Sequence, residues 1–143
     1  MTAQNGNKTI GVYGNGSVVN MTGGELIMTN GRNQCVYLNG IFNMSGGKIV
    51  SSGAGVYIRQ NSELNVSGDA VIQSSLSRYG AIYVDGDEDA PAIVNITGGT
   101  VESTNNYCSA ITSTSSSYGE ISISGGSIKT ANNRAVFNFK SST

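Results

Sequence analysis

Four tyrosines, Tyr13, Tyr37, Tyr57 and Tyr83, each follow a Val or Ile in a short apolar segment: Gly11-Val12-Tyr13, Cys35-Val36-Tyr37-Leu38, Gly55-Val56-Tyr57-Ile58 and Ala81-Ile82-Tyr83-Val84. A tyrosine carries an apolar face and a polar tip, so a row of them can pack against the flat face of a sugar ring or against a partner surface while the hydroxyls hydrogen-bond; the alternative is a ladder of rings stacked at about 4.8 Å per rung that only stabilises neighbouring strands. Arg59 near Tyr57 and Asp85 near Tyr83 share their face by alternation and add charged groups that would orient a ligand. Asp85 also opens the densest charge cluster of the chain, Asp85-Gly86-Asp87-Glu88-Asp89. Alternating carboxylates around a glycine suit a hard, oxygen-seeking cation such as calcium, and the alternative is a solvated acidic bulge that binds nothing. The loop is not an EF-hand, because position 96, where a twelve-residue loop would supply its last ligand, is Ile96.

Catalysis has thinner support. A glycosidase needs two carboxylates flanking the scissile bond, and a polysaccharide lyase needs a basic side chain beside a metal and an acidic sugar. Arg59 or Arg78 near Asp85 is the nearest approach to the second arrangement, and no motif fixes either there, so we expect a non-catalytic protein. The sequence holds two cysteines, Cys35 and Cys108, and no histidine, so a zinc site or a Cys-His nucleophile is hard to assemble.

The elements that must position these residues come from a repeat. Asn20-Met21-Thr22-Gly23-Gly24-Glu25-Leu26-Ile27 returns as Asn43-Met44-Ser45-Gly46-Gly47-Lys48-Ile49, Asn65-Val66-Ser67-Gly68-Asp69-Ala70-Val71, Asn95-Ile96-Thr97-Gly98-Gly99-Thr100-Val101 and Ser122-Ile123-Ser124-Gly125-Gly126-Ser127-Ile128. The first glycines stand 23, 22, 30 and 27 residues apart. A period in the twenties with short insertions is the mark of a solenoid. Each unit reads as three short strands: the Val-Tyr strand, the strand ending in Asn-Met-Thr, and, after the Gly-Gly corner, the strand Glu-Leu-Ile. No connection is long enough for a crossover helix, so like strands must stack in parallel by coiling. The expected fold is all-β, a right-handed parallel β-helix of about five three-stranded coils, its hand following the general crossover preference.

Alternation assigns the faces. The inward rows are Val12, Val36, Val56, Ile82, Ile111 and Val136; Met21, Met44, Val66, Ile96 and Ile123; and Leu26, Ile49, Val71, Val101 and Ile128. At about 1.5 to 3 kcal/mol per fully buried apolar side chain, such stacks hold a thin coil together. Asn20, Asn43, Asn65 and Asn95 form an outward row continued by Ser122; each asparagine is also an Asn-x-Ser/Thr sequon, but a ladder of amides hydrogen-bonded along the axis accounts for the regularity better. Glu25 lies over Lys48 in the next coil. At the corners the glycines supply positive φ, with Asp69 in place of the second one, and Asn30-Gly31 and Asn39-Gly40 are turn dipeptides. Thr112-Ser113-Thr114 has the Thr-x-Thr spacing of an ice-binding face, but such a face needs it in every coil, and tyrosines hold that strand elsewhere.

Length and composition bound the rest. The 143 residues allow one domain, with 1–10 as an N-terminal cap or edge, 11–134 as the coils and 135–143 as a last strand or cap; a longer parent protein is expected. Eight Lys and Arg against nine Asp and Glu leave neither the basic footprint of a nucleic-acid binder nor a polyanionic surface. No stretch is long enough to span a membrane, and residues 1–10 lack the apolar centre of a signal peptide. Cys35 and Cys108 fall three rungs apart, roughly 14 Å at about 4.8 Å per rung, too far for a disulfide.

The succession Val-Tyr, Asn43-Met44-Ser45-Gly46-Gly47-Lys48-Ile49 and the return to Gly55-Val56-Tyr57 resembles the repeats of right-handed β-helix surface proteins of anaerobic Gram-positive bacteria, a pectate-lyase-like superfamily. The resemblance runs over residues 11 to 139 and implies a secreted or cell-surface adhesin, or a module that binds acidic polysaccharides with calcium. The chain lacks a lyase-type set of calcium-binding carboxylates with a catalytic arginine. The leading expectation is therefore a non-catalytic module that binds a polysaccharide or a host or cell-wall glycan through Tyr13, Tyr37, Tyr57, Arg59 and Tyr83, assisted by calcium at Asp85, Asp87, Glu88 and Asp89. The alternative is a structural spacer or assembly unit of a surface or phage-fibre protein, and after it a lyase fragment. Open strand edges at both ends of an array also point to self-association through the coil ends.

Overall fold

The computed structural model describes residues 2–3, 10–14, 16–29, 33–75, 79–113, 116–131 and 137–138. Arg78, Thr114, the Asn30-Gly31 turn, Val136, the tail residues Phe139 and Lys140 and most of the expected cap 1–10 lie outside them. The strands follow in chain order as β1 (Thr2–Ala3), β2 (Ile10–Val12), β3 (Val18–Met28), β4 (Gln34–Leu38), β5 (Ile41–Ser51), β6 (Ala54–Arg59), β7 (Glu63–Val66) and β8 (Val71–Ser74). After them come β9 (Ile82–Asp85), β10 (Ala92–Ile96), β11 (Thr100–Ser103), β12 (Ile111–Ser113), β13 (Gly119–Ile123), β14 (Ser127–Thr130) and β15 (Phe137–Asn138).

These strands build a parallel β-solenoid of about four turns. One sheet runs β2, β4, β6, β9, β12, β15; the other has β3 and β5 at its root and forks at β5 into the branches β7, β10, β13 and β8, β11, β14. The fork revises the expectation of three strands in every coil. In the first two coils the chain passes the Gly-Gly corner as one bent strand of 11 residues, and only from the third coil does the corner interrupt the ladder.

The corner shows why glycine is needed there. Gly47 has φ +86, and a Cβ on it would run into the backbone of Gly23 and Gly24 one coil below. The third coil solves the turn differently from the expectation that Asp69 would take positive φ. Gly68, at φ +58, takes the left-handed conformation instead, and Asp69 follows as part of an extra residue in the turn. That extra residue moves the downstream register by one. Ile49 pairs with Ile72, and Val71 pairs with Lys48, so Ile72 is buried in the core and Val71 is half-exposed, the reverse of the sequence expectation.

Two other registers differ from the sequence reading. Val12 pairs with Leu38 and Gly11 with Tyr37, a two-residue offset from the motif alignment. At the far end Ile111 pairs with Phe137, not with Val136, and Phe137 is 39% exposed on the last rung. The remaining rows share their files as expected, Met21, Met44, Val66, Ile96 and Ile123 in one and Leu26, Ile49, Val101 and Ile128 in another, but Ile123, expected to face inward, is 42% exposed on the last coil. Phe42, Leu64 and Val94 form a further buried file that the motif did not mark, and Phe42 is the largest fully buried side chain. A buried polar file follows the third strand, Ser51, Ser74 and Ser103. There Ser51 Oγ accepts the Gly53 N–H at 2.9 Å and Ser74 Oγ donates to the Gly53 carbonyl at 2.6 Å, which satisfies the backbone where the coil turns back.

The asparagine row is a ladder. Asn43 Nδ2 donates to Asn20 Oδ1 at 2.8 Å, Asn65 to Asn43 at 2.8 Å and Asn95 to Asn65 at 2.9 Å. Asn95 donates also to Glu63 Oε1 at 3.3 Å. These amides are therefore engaged with one another. Cys35 and Cys108 are both buried thiols, not a disulfide.

Two substitution pairs read out this architecture. Ile72→Ala is expected to cost about 2–5 kcal/mol and Val71→Ala less than about 1 kcal/mol in urea unfolding; equal losses would contradict the register. Asn43→Ala removes two ladder bonds and is expected to cost about 1–2 kcal/mol, more than Asn20→Ala, which removes one.

Candidate functional site

The tyrosines do form a column. Tyr37 and Tyr57 lie with ring centroids 5.6 Å apart and planes 8° from parallel; Tyr57 and Tyr83 are 5.0 Å apart at 19°. These separations follow from the rung spacing of about 4.8 Å, because Tyr37, Tyr57 and Tyr83 occupy one register position in successive coils. Tyr13 joins by a different route. Gly11 holds the register position opposite Tyr37, and the Tyr13 ring folds back over it, so that a Cβ at position 11 would collide with the ring. Tyr13 thereby reaches Tyr37 at 5.5 Å and 31° and ends the column at 56% exposed.

At the opposite end the column closes inward. Tyr83 is only 8% exposed and receives the edge of Tyr79 at 5.0 Å and 88°. Thr112, next in the row, is buried and its Oγ1 donates to the Tyr79 carbonyl at 2.7 Å. A threonine in that position serves the end of the tyrosine column. The stacking has a chemical consequence for the whole row: the ring faces are turned along the axis toward each other, and the edges and hydroxyl tips are what meet solvent. Each stacked pair is worth about 0.5–1.5 kcal/mol beyond its burial.

The charged residues gather at one level of the column. Arg59 and Asp85 are register partners on adjacent rungs, and Arg59 Nη1 lies 3.3 Å from Asp85 Oδ2. The same Oδ2 accepts the Tyr57 hydroxyl at 2.5 Å, and Oδ1 accepts Ser117 Oγ at 3.2 Å. Arg59 Nε donates to Gln60 Oε1 at 3.0 Å. Burial, and then the hydrogen bond to the Asp85 carboxylate, push the Tyr57 phenol far above its ordinary value. Burial works against the Arg59 charge, but the phenols of Tyr37 and Tyr57 and the Asp85 carboxylate outweigh it, and its pKa rises.

The acidic loop is divided. Asp85 is drawn into the Arg59 and Tyr57 cluster, whereas Asp87, Glu88 and Asp89 sit exposed on a tight turn closed by reciprocal bonds between Asp87 and Ala90, both 3.1 Å. Among the described residues no three carboxylates or thiols come together as a metal-holding group. Of the expected set Asp85, Asp87, Glu88 and Asp89, Asp85 has a cation and two hydroxyls for partners, and the other three face solvent.

Sequence reasoning missed Tyr79, Gln60 and Ser117. Each comes from a segment between strands, where no repeat position marks it. The insertion that carries the acidic residues is itself pinned by the same distant segment: Tyr118 N donates to the Gly86 carbonyl at 2.9 Å, and Ala92 N donates to the Tyr118 carbonyl at 3.2 Å. No protein-family model matches the chain, and comparison with characterised proteins and with solved structures gave no match.

The Tyr57 phenol gives a pH signature. Its folded pKa is raised, so its contribution to stability is fully present below the ordinary phenol value near 10.0 and is lost as pH climbs through that value toward the folded one. Unfolding free energy is expected to fall above about pH 10, and Tyr57→Phe is expected to flatten that fall. An identical slope in wild type and Tyr57→Phe, measured by urea unfolding from pH 8 to pH 11, would contradict the assignment.

Proposed function

We propose that this chain is a non-catalytic, rigid module that serves as a spacer or assembly unit of a secreted or surface protein. One observation carries the reading: the outer-face side chains, those offered by the sequence as ligand contacts among them, are bonded to one another from coil to coil. Asparagine amides bond asparagine amides, tyrosine faces cover tyrosine faces, and Asp85 holds Arg59, Tyr57 and Ser117. Contacts of this kind tie each rung to its neighbour and stiffen the axis. They also leave little polar capacity in those groups for a ligand. The setting on a bacterial surface or in a fibre comes from the resemblance of the repeats, and a stiff rod of repeated rungs suits it.

A second reading has a specific support. Tyr13 ends the column at 56% exposed, with the hydroxyl edges of Tyr37 and Tyr57 beside it and Arg59 on the same side, so a polysaccharide or cell-wall glycan would find one aromatic surface and a line of hydrogen-bonding tips. Calcium would act in that case through the exposed Asp87, Glu88 and Asp89, bridging to an acidic sugar without a cage of its own. A glycan array probed with calcium and with EDTA separates the two readings. The spacer reading expects no glycan retained in either condition. A retained glycan whose binding is lost in Tyr13→Ala would replace it with the second reading, and dependence on calcium would assign the acidic turn.

A further inference from the structure

We infer that copies of this chain stack end to end, the last coil of one on the first coil of the next, and that strand β1 regulates the contact. The inference rests on the reading of the chain as an assembly unit and names the partner: a second copy. Its ground is the complementarity of the two ends. Each internal interface is made by the same rows in the same register, and the two outermost coils carry those rows unfinished.

Following the register from strand to strand, Ile121 falls in the file of Val19, Ser122 in that of Asn20, Ile123 in that of Met21 and Ile128 in that of Leu26. At the ends the apolar members are less covered than inside: Ile123 is 42% exposed on β13 and Val19, Met21, Ile121 and Ile128 are half-buried, whereas Val66 and Ile96 are buried; Leu26 alone of the end members is buried. Among the described residues no second strand pairs with the β13 edge or with the first part of β3, and such an edge templates further strand addition. The asparagine ladder has a direction that matches. Every amide donates toward the N-terminal coil, so Asn20 carries the terminal N–H donor of the ladder and Ser122, at the other end of the file, offers a hydroxyl oxygen to accept it. On the outer face Glu120 falls in the file of Val18, which is 52% exposed, so no like charges meet there. A contact between unlike ends of this kind propagates in one direction and does not close on itself.

β1 stands in the way of the last two positions. Thr2 and Ala3 pair with Ile27 and Met28, the positions that Lys129 and Thr130 of a second copy would take by the same register. The strand is two residues long, and among the described residues no strand pairs with β3 on that side from Val18 to Gly24. A second copy therefore begins on the open part and completes its ladder as β1 lifts, which makes β1 a guard of the edge.

Sedimentation velocity on the full chain tests this with variants at the exposed ends. Wild type is expected to increase in weight-average mass above 14.8 kDa with concentration. Val18→Glu places a carboxylate against Glu120 of the next copy, and Ile123→Lys places a charge in the apolar file; each alone is expected to stay monomeric. Mixed, they leave one native end on each variant facing the other, and the mass is expected to double and stop at the dimer. Ala3→Pro, which disfavours β1 in the ladder, is expected to shift association to lower concentration. Circular dichroism of each variant confirms the fold. A wild type and an Ala3→Pro variant that both remain monomeric at every concentration would overturn the inference, and so would variants that associate alone as wild type does. Either failure leaves the spacer reading to the glycan array, which does not depend on self-association.

Discussion

Axial stacking in register is the constraint on which everything else in this protein depends. A residue in one coil meets, about 4.8 Å away, the residue in the same position of the next. A side chain that recurs must therefore pack well against a near-copy of itself. Apolar residues satisfy that condition by filling the core in files, as Met44, Val66 and Ile96 do. Asparagine satisfies it because its amide is both donor and acceptor, and tyrosine because its ring stacks. Lysine or glutamate in such a file would meet its own charge; Glu25 is instead followed by Lys48, Val71, Thr100 and Ser127.

The same constraint changes the meaning of a conspicuous row. A tyrosine recurring at a fixed place on an outer face suggests a binding platform when each ring is considered by itself. Stacking turns the faces of Tyr37, Tyr57 and Tyr83 toward one another and presents their edges, so each ring also splints its neighbour's strand. The Arg59 and Asp85 pair follows the same logic at one level of the column: the carboxylate that would have oriented a ligand neutralises the cation of the rung below and takes the Tyr57 proton donor as well. Exposed ion pairs contribute little. This one gains its place from the phenol, whose hydrogen bond links the charge pair to the aromatic column.

How much of this was legible in the sequence follows from what repeats. The solenoid, the parallel ladder, the asparagine row and most core files could be read because each is a statement about equal positions in successive units. Errors arose where a unit departs from its neighbours by a residue. One extra residue in the turn after Gly68 exchanged Val71 for Ile72, and a two-residue offset between β2 and β4 moved Tyr13 out of the row that its motif suggests. Even so Tyr13 reached the column, because Gly11 left room for its ring. Period-two alternation has no tolerance for a single insertion, so a slip of one residue inverts faces without any change in composition. The partners of Asp85 were illegible for a different reason: Ser117 lies 32 positions away in a segment between strands, where no periodicity marks it.

A structure made of self-complementary rows has little individuality along its length, so whatever distinguishes one such module from another must reside where the rows are interrupted. Among the described residues there are three kinds of interruption. The turn at Asp87 to Ala90 projects three carboxylates, and its base is clamped by Tyr118. The loop at Asn105 to Cys108 holds Tyr107 at 72% exposed on an Asn105 side-chain cap, the most exposed of the large apolar or aromatic residues described. The coil ends leave Val18 at one end and Ile123 at the other uncovered. The first two are local ornaments that a repeat can gain or lose without disturbing the stack. The third belongs to the stack itself, since an end of a translationally repeating ladder differs from its interior only in lacking a neighbour. The physics that holds the coils together is therefore the same physics that would join one copy to the next, and strand β1 is the only described segment placed to oppose it.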